Sequence, residues 1–225
     1  MVSKQQGQTT KMKDVLICLP TRNEAANIQY MIDKLSLLKY PIIVADANSR
    51  DDTVEIALKN KVEVYQRDGP GKAYGVRKAL QVARIKKAKI LVFIDCDRTY
   101  PTEAIPKMVE LMQHNDTVIC YRSQKHIKPL HRIGNNIHTI AINLLFGSNV
   151  KDINSGLRAI RVDKYRKLRS KGFDIEAELT IKAIKQHLRI KQFPIRYEER
   201  TGDSKIRLSD GITIMLRILK ERLRF

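Results

Sequence analysis

The sequence predicts an α/β fold in which a doubly wound, mainly parallel sheet is flanked by helices. Short β-branched runs alternate with stretches of helical periodicity through the first half of the chain. Polar residues follow several of these runs directly, and ligands bind beyond that end of a parallel sheet. Hydrophobic residues make up 43% and charged residues 30% of the 225 residues, which is typical of a globular protein.

Strands are predicted where apolar and β-branched residues cluster. In the first half these runs are Val15–Leu19, Pro41–Asp46, Val62–Tyr65, Ile90–Asp95 and Thr117–Cys120. Repetition of strand, helix and strand favours parallel pairing, which brings the carboxyl ends of the strands to one edge.

Helices are predicted between these strands. The first contains apolar residues at helical spacing, namely Ile28, Met31, Ile32 and Leu35. Thr21 and Glu24 precede it at the spacing of a capping box. A later helix is predicted to open between Pro101 and Pro106 and to end near Gln113.

The second half is less regular. Residues 121–132 predict an exposed basic loop, whose cations are Arg122, Lys125, Lys128 and Arg132. A helix ending near Phe146, a helix over Ile175–Gln186 and a strand over Ile190–Ile195 are predicted to follow. The tail is predicted to be a basic amphipathic helix, with an apolar stripe at Ile212, Met215, Leu216, Leu219 and Leu223. Such a stripe could pack on the core or face a membrane.

Composition limits the partners. Lys and Arg total 43 and Asp and Glu total 24, which gives a formal net charge of +19 and indicates an anionic partner. An acidic membrane and phosphorylated small molecules both fit. Nucleic acid is a rival partner, but only 6% of residues are aromatic, Trp is absent and no nucleic-acid-binding motif is present, so none is expected.

The cysteines and the apolar runs indicate the compartment. Cys18, Cys96 and Cys120 lie far apart, which predicts buried free thiols in a reducing compartment. No signal peptide is visible, and no apolar stretch approaches the roughly 20 residues that span a bilayer. We therefore expect a cytoplasmic protein that is peripheral on the cytoplasmic face of a membrane.

Three segments carry candidate chemistry. Asp95-Cys96-Asp97 follows a buried strand, and two carboxylates there are either a divalent-cation site or turn-forming and helix-capping residues. The glycine-rich turn 68–75 contains Lys72 and opens a helix, which favours phosphate binding, although a simple turn is the alternative. The loop from Arg200 to Lys205 offers further donors for phosphate or is a solvated surface loop.

Taken together, these segments resemble the polyprenol-phosphate glycosyltransferases of glycosyltransferase family 2. The resemblance rests on 19–24, 46–53, 71–73, 95–97, 152–158 and 202–205, in that order. It implies a GT-A fold, a nucleotide-diphosphate sugar donor, Mg²⁺ or Mn²⁺, and inversion at the anomeric carbon. The expected organisation is a flexible tail (1–13), a catalytic domain (14–207) with a nucleotide-binding half (14–120) and an acceptor-binding half (121–207), and a C-terminal helix (208–225).

The resemblance also implies roles for individual residues. The nucleotide-binding set is Pro20, Arg22, Glu24, Asp46, Lys72 and Asp95. The metal ligands are Asp95 and Asp97, and the catalytic set is Asp97, Arg132 and Arg200. The acceptor phosphate would be held by Arg122, Arg132, Asn136 and Lys205. The chain departs from the family pattern at Ala47, where a second aspartate is usual, at Arg22, where Tyr is common, and at Thr99.

The implied reaction moves a hexose from GDP-mannose or UDP-glucose to a polyprenyl or dolichyl phosphate. A phosphate monoester is already an anionic nucleophile near neutral pH, so it needs alignment and charge neutralisation rather than a strong base. An anionic membrane surface and a membrane-embedded protein are expected partners of the basic tail. Two other enzymes remain open: a family 2 transferase acting on a glycan or glycolipid hydroxyl, and a nucleotidyltransferase of similar topology.

Overall fold

The computed structural model describes residues 11–123, 127, 129–201 and 208–224. Within these ranges the chain forms a seven-stranded sheet. The strands are β1 (Val15–Thr21), β2 (Ile42–Asp46), β3 (Glu63–Gln66), β4 (Ile90–Phe93), β5 (Thr117–Arg122), β6 (Arg158–Arg161) and β7 (Ile190–Ile195). The helices are α1 (Ala25–Ser36), α2 (Thr53–Lys59), α3 (Lys72–Ile85), α4 (Ala104–Leu111), α5 (Pro129–Phe146), α6 (Ile175–Lys185) and α7 (Leu208–Leu223).

The sheet has the order β3-β2-β1-β4-β6-β5-β7. Strands β1 to β4 pair in parallel, with β1 between β2 and β4. Strand β6 is antiparallel to both β4 and β5, so β4 and β5 run in the same direction, and β7 is parallel to β5. The carboxyl ends of β1 to β5 and β7 therefore lie on one edge of the sheet, which we call the rim.

Two hydrophobic layers cover the sheet. Along β1, Val15, Ile17 and Leu19 enter a core shared with α1 and α4, whereas Leu16 and Cys18 face a core shared with α3 and α6. Because both faces are covered, the central strands are almost continuously apolar. A third cluster joins α5, α6 and α7.

The predicted α/β fold and its strands are confirmed, with shifts at the ends. Strands β1 and β5 run on to Thr21 and Arg122, and β4 ends at Phe93 rather than at Asp95. Strand β6 was not predicted, because it has only four residues and two of them are arginines. The buried free thiols are confirmed, and burial raises the pKa of both Cys18 and Cys120 to about 12.

Two local predictions are wrong. Thr21 does not cap α1, because it lies in β1 and donates its hydroxyl proton to Asp46 at 2.9 Å. The first amide of the helix, that of Ala25, is instead capped by Asp51 at 3.0 Å. The exposed basic loop is wrong for Arg122, which ends β5 and is largely buried, and for Arg132, which lies in α5. The predicted flexible N-terminal tail (1–13) falls mostly on residues 1–10, which lie outside the described residues.

Helices α5 and α7 pack together and leave apolar residues uncovered. The nitrogen Nε2 of His138 in α5 lies 3.0 Å from the Gly211 carbonyl of α7. Ile214 and Ile218 of α7 are buried in the third cluster. The uncovered residues are 44% to 86% exposed and are Ile133, Ile137, Ile140 and Leu144 of α5 and Ile212, Leu216, Leu219 and Leu223 of α7. We call this surface the apolar face. None of the described helices is both long enough and apolar enough to cross a bilayer.

Candidate active site

A largely buried lysine joins two carboxylates at the rim. Lys72 is the first residue of α3, and its Nζ lies 2.6 Å from Asp95 Oδ1 and 2.6 Å from Glu176 Oε1. Asp95 comes shortly after β4, and Glu176 lies in the first turn of α6. The sequence therefore brings three separate segments to one ion-pair cluster.

The charges of this cluster support one another. Burial by itself would lower the pKa of Lys72, but the two carboxylates outweigh it and raise that pKa. Burial would likewise raise the pKa of Asp95, but the charge and hydrogen bond of Lys72 lower it below its ordinary value. At neutral pH the lysine is thus protonated and Asp95 is ionised.

Asp97 forms a second pair beside the first. Its carboxylate forms an ion pair with Arg200, which follows β7. It also accepts a 2.6 Å hydrogen bond from the hydroxyl of Thr99. Burial and the nearby charge of Asp95 together raise the pKa of Asp97. A cation bound beside Asp97 would therefore stabilise the ionised form of its carboxylate.

Two glycines allow the close approach that this site requires. A Cβ added to Gly156 would lie 2.1 Å from Asp95 Oδ2. A Cβ added to Gly71 would lie 1.8 Å from the carbonyl oxygen of Lys171. Any side chain at either position would displace the residues around Lys72 and Asp95.

Arg122 forms an ion pair with Asp152 inside the site. Its Nε lies 2.7 Å and its Nη2 2.9 Å from the two carboxylate oxygens of Asp152, which is a bidentate pair. The guanidinium also lies over the ring of Tyr197, 5.3 Å from the ring centroid. Tyr197 packs edge-on against Tyr100, whose hydroxyl accepts a hydrogen bond from the Gly156 amide at 2.7 Å.

A cleft of about 500 Å³ opens beside these pairs. It lies at the carboxyl ends of β1, β2 and β3, and is lined by Arg22, Ala47, Asn48, Arg50, Arg67, Asp68, Gly69 and Pro70. Its walls are joined by hydrogen bonds from the Asn23 amide to the Ser49 hydroxyl and from the Arg50 amide to the Asn23 side chain, both 2.9 Å. Asn23 and Asn48 have positive φ, a conformation that asparagine tolerates well.

Asp46, to which the resemblance assigns nucleotide binding, is the last residue of β2. This residue is completely buried, and its carboxylate accepts hydrogen bonds from the Thr21 hydroxyl, the Ser49 hydroxyl and the Ser49 amide. It therefore shapes the loop that borders the cleft, while Ala47 lines the cleft itself. Sequence alone placed Asp46 at the correct strand end but could not show which way its side chain points.

The other predicted residues lie at the end of β1, before α1 and in α5. Pro20 lies near the end of β1, and Glu24 directly precedes α1 and accepts a hydrogen bond from Asn27 at 3.1 Å. Arg132 and Asn136 occupy exposed positions one turn apart on α5. Lys205 lies outside the described residues.

The donor set fits a divalent cation. Mg²⁺ is usually held by one or two carboxylates together with substrate phosphates, and Asp95 and Asp97 supply that set. The raised pKa of Asp97 is the response expected where two carboxylates are crowded, and a bound cation would reverse it. Among the described residues, no cluster of three or more His, Cys, Asp or Glu side chains offers a complete cage.

Sequence reasoning did not predict the partners of Glu176 and Asp152, and it did not single out Arg67. Glu176 and Asp152 lie more than twenty residues from their partners Lys72 and Arg122, so no local pattern could pair them. Arg67 directly follows β3, is largely buried and donates to the Thr21 carbonyl at 3.0 Å. Its place at a strand end was a signal that could have identified it.

Comparison with known proteins identifies the family of the chain. The family model for glycosyl transferase family 2 matches residues 16–169. A dolichyl-phosphate hexose transferase of Haloferax volcanii is 29% identical over 94% of this chain and 96% of its own length. An undecaprenyl-phosphate mannosyltransferase of Micrococcus luteus is 28% identical over 88% of each chain.

Other matches differ in length or are more distant. The low-salt glycan biosynthesis hexosyltransferase Agl6 of Haloferax volcanii is 29% identical over 84% of this chain, which spans only 49% of Agl6. Glucosyl-3-phosphoglycerate synthase from Mycobacterium tuberculosis, solved with Mn²⁺, uridine diphosphate and phosphoglyceric acid, superposes with a TM-score of 0.77. The match covers 92% of this chain and 78% of the synthase at 21% identity, and it confirms the GT-A fold. On the family match and the shared fold, this chain belongs to glycosyl transferase family 2.

Proposed function

We propose that the protein transfers a hexose, with inversion, from a nucleotide-diphosphate sugar to a polyprenyl phosphate at a membrane surface. The two relatives that match nearly end to end are named for dolichyl-phosphate and undecaprenyl-phosphate transfer. Their names support this class of acceptor. GDP-mannose and UDP-glucose are the donors to test first.

The pairing of the site carboxylates is the observation that carries the acceptor assignment. Asp95 and Glu176 are held by Lys72, Asp97 by Arg200, and Asp152 by Arg122. A hydroxyl acceptor would require a carboxylate free to remove its proton. A phosphate acceptor is already an anion near neutral pH and requires no such base.

The donor would lie along the rim. Its nucleoside would occupy the cleft beside Arg22 and Arg67, and its diphosphate would approach Asp97 and Arg200. A bound Mg²⁺ or Mn²⁺, held by Asp97 with Asp95 nearby, would neutralise charge on the diphosphate. Arg200 would stabilise the same developing charge, and Arg132, Asn136 and Lys205 would hold the acceptor phosphate.

The apolar face supports action at a membrane. Four of the five residues in the predicted stripe of α7 are exposed, Met215 is half-buried, and α5 carries exposed apolar residues as well. Amphipathic helices of this kind lie in the interface of a bilayer with their apolar side inward. The protein would then be peripheral, on the cytoplasmic face, with its rim close to a lipid-borne phosphate, and a membrane-embedded protein could share this surface.

The experiment is a transfer assay with purified protein, a short polyprenyl phosphate, labelled GDP-mannose or UDP-glucose, and Mg²⁺ or Mn²⁺. We expect labelled lipid with one of the donors and loss of product when the metal is chelated. Arg200→Ala is expected to lower kcat strongly because the leaving diphosphate loses a positive charge. Arg189→Ala, at an exposed arginine outside the site, is the matched control.

The free polyprenol, which lacks the phosphate, is the control acceptor and should receive no sugar. Transfer to a glycan or glycolipid hydroxyl with no transfer to polyprenyl phosphate would overturn the proposed acceptor. In a separate reaction with a nucleoside triphosphate and a sugar 1-phosphate, release of inorganic pyrophosphate and formation of a nucleotide-diphosphate sugar would instead indicate a nucleotidyltransferase.

A further inference from the structure

A second cleft lies away from the rim, on the sheet face that α6 covers. It has a volume of about 450 Å³ and is bordered by the segment after β6, by α6 and by the end of α7. Strand β6 is antiparallel to β4, so its last residue, Arg161, pairs with Ile90, the first residue of β4. The segment that borders the cleft therefore starts at the edge opposite the rim.

The lining of this cleft is strongly basic. Of its eleven lining residues, seven are Lys or Arg and three are acidic. Five cations fall within eight consecutive residues, 164–171, and four of these five line the cleft.

The acids of the cleft are already engaged. Glu178 accepts hydrogen bonds from the backbone amides of Arg169 and Ser170 at 2.6 and 2.7 Å. Glu221 is shared by Lys185, Arg217 and Arg224 at 3.3 to 3.6 Å. Asp163 lies 3.5 Å from its neighbour Lys164. The other four cations of the lining form no ion pair with these three acids among the described residues, so the cleft keeps an excess of positive charge.

Four side chains form this uncompensated group: Arg166, Lys167, Arg169 and Lys182. None of them is ion-paired with a carboxylate in the ranges that the structure covers. The positive charge of Arg166 also acts on a neighbouring residue: burial and this charge together lower the pKa of Arg84. Lys182 is partly buried between α6 and this segment, where an unpaired charge is more costly than at an open surface.

We propose that this basic cleft is a second anion-binding site that takes clustered phosphate groups. Arginine forks and lysine ammonium groups around one concave volume match several phosphate oxygens at once. The volume lies within the range of small-molecule sites. An anionic lipid headgroup and a soluble polyphosphate share this chemistry, and the site is independent of the sugar-transfer reaction.

The first test is a local footprint, so that any binding at the rim does not interfere. The full-length protein is acetylated with and without inorganic tripolyphosphate, and modified lysines are quantified by peptide mass spectrometry. We expect slower acetylation of Lys167 and Lys182. Lys39 and Lys61, exposed lysines that follow α1 and α2 beside the other sheet face, should be unchanged. Unprotected cleft lysines would count against the soluble anion.

The second test compares binding of two variants to vesicles of phosphatidylserine and phosphatidylcholine by co-sedimentation. Arg166→Gln/Lys182→Gln is expected to bind about tenfold more weakly than the wild type, because two cations leave the interface. Lys39→Gln/Lys61→Gln carries the same change in charge and should bind as the wild type does. Matching melting temperatures would show that both variants are folded.

The two tests together distinguish the sources. Weaker vesicle binding of the cleft variant without lysine protection assigns the site to a lipid headgroup. Protection by tripolyphosphate with unchanged vesicle binding assigns it to a soluble polyanion. If neither arm responds, or if the control variant weakens equally, the cleft is only a solvated basic surface and the proposal fails.

Discussion

At the scale of single residues, Lys72 is the position on which the acidic cluster depends. Its ammonium group stands between Asp95 and Glu176, and all three side chains are mostly removed from solvent. Removing one member of a buried ion-pair network leaves the others uncompensated, which costs far more than the loss of an exposed pair.

We therefore expect Lys72→Met to lower the free energy of unfolding by about 3–5 kcal/mol, because Asp95 and Glu176 would repel one another in a dry site. Urea titration at neutral pH measures this loss. Adding Glu176→Gln should recover part of the stability by removing one charge. Equal stability of Lys72→Met and wild type would show that the cluster does not contribute to folding.

Asp97 should make the free energy of unfolding depend on pH. Its folded pKa lies above the unfolded value, so the folded state binds more protons between the two values and its stability falls as pH rises. We expect the stability of the wild type relative to Asp97→Asn to be greatest below the unfolded pKa. It should decline as pH rises through the folded pKa.

The measurement is urea unfolding of both proteins from pH 3 to pH 7, at about half-unit steps. The Asp97→Asn protein should also lose transfer activity, as expected where a functional carboxylate is kept at some cost to stability. A stability difference that stays constant over this range would contradict the shifted pKa.

At the scale of elements, β6 is held in place by an arginine. Arg158, its first residue, is almost fully buried and donates to the carbonyls of Ile153, Ser155 and Glu176. Its partners are neutral, and burial lowers the pKa of this arginine. One side chain thus connects the turn before β6 to α6.

Arg158→Lys should lower the free energy of unfolding by about 3 kcal/mol, because a lysine cannot reach all of these carbonyls and buried acceptors would stay unsatisfied. Arg189→Lys is the matched control. Arg189 is exposed and pairs with Asp116 at the surface, where such a pair contributes at most about 1 kcal/mol. Similar losses for the two variants would contradict the role assigned to Arg158.

Helix α7 offers a test of the apolar face. Leu216→Glu/Leu219→Glu should release the protein from vesicles with little change in its melting temperature, since these side chains are 48% and 44% exposed. Ile218→Glu, on the buried side of the same helix, should instead unfold the protein, because it places a charge in the third cluster. A double variant that still binds vesicles would remove α7 from the membrane contact.

At the scale of the whole molecule, the sequence predicts what is local and repetitive. Alternating strands and helices predicted the sheet, and polar residues after strands predicted that segments 20–24, 46–49 and 95–97 meet at one edge. The place of Arg200 in this site was implied only by the family resemblance. The sequence did not predict which side chains from distant segments contact one another. Asp46 accepts hydrogen bonds from Thr21, twenty-five residues away, and from Ser49 in its own loop, and the sequence did not show that these contacts turn the carboxylate inward.

The position of β6 has a consequence for how the chain reaches its native state during synthesis. Strand β5 is made well before β6, yet its two neighbours in the sheet are β6 and β7. A nascent chain that ends before residue 158 therefore carries β5 with nowhere to pair and leaves the far edge of β4 open. Strand β6 must therefore leave the ribosome before β5 can join the rest of the sheet, and the hydrophobic residues of β5 remain open to other contacts until then.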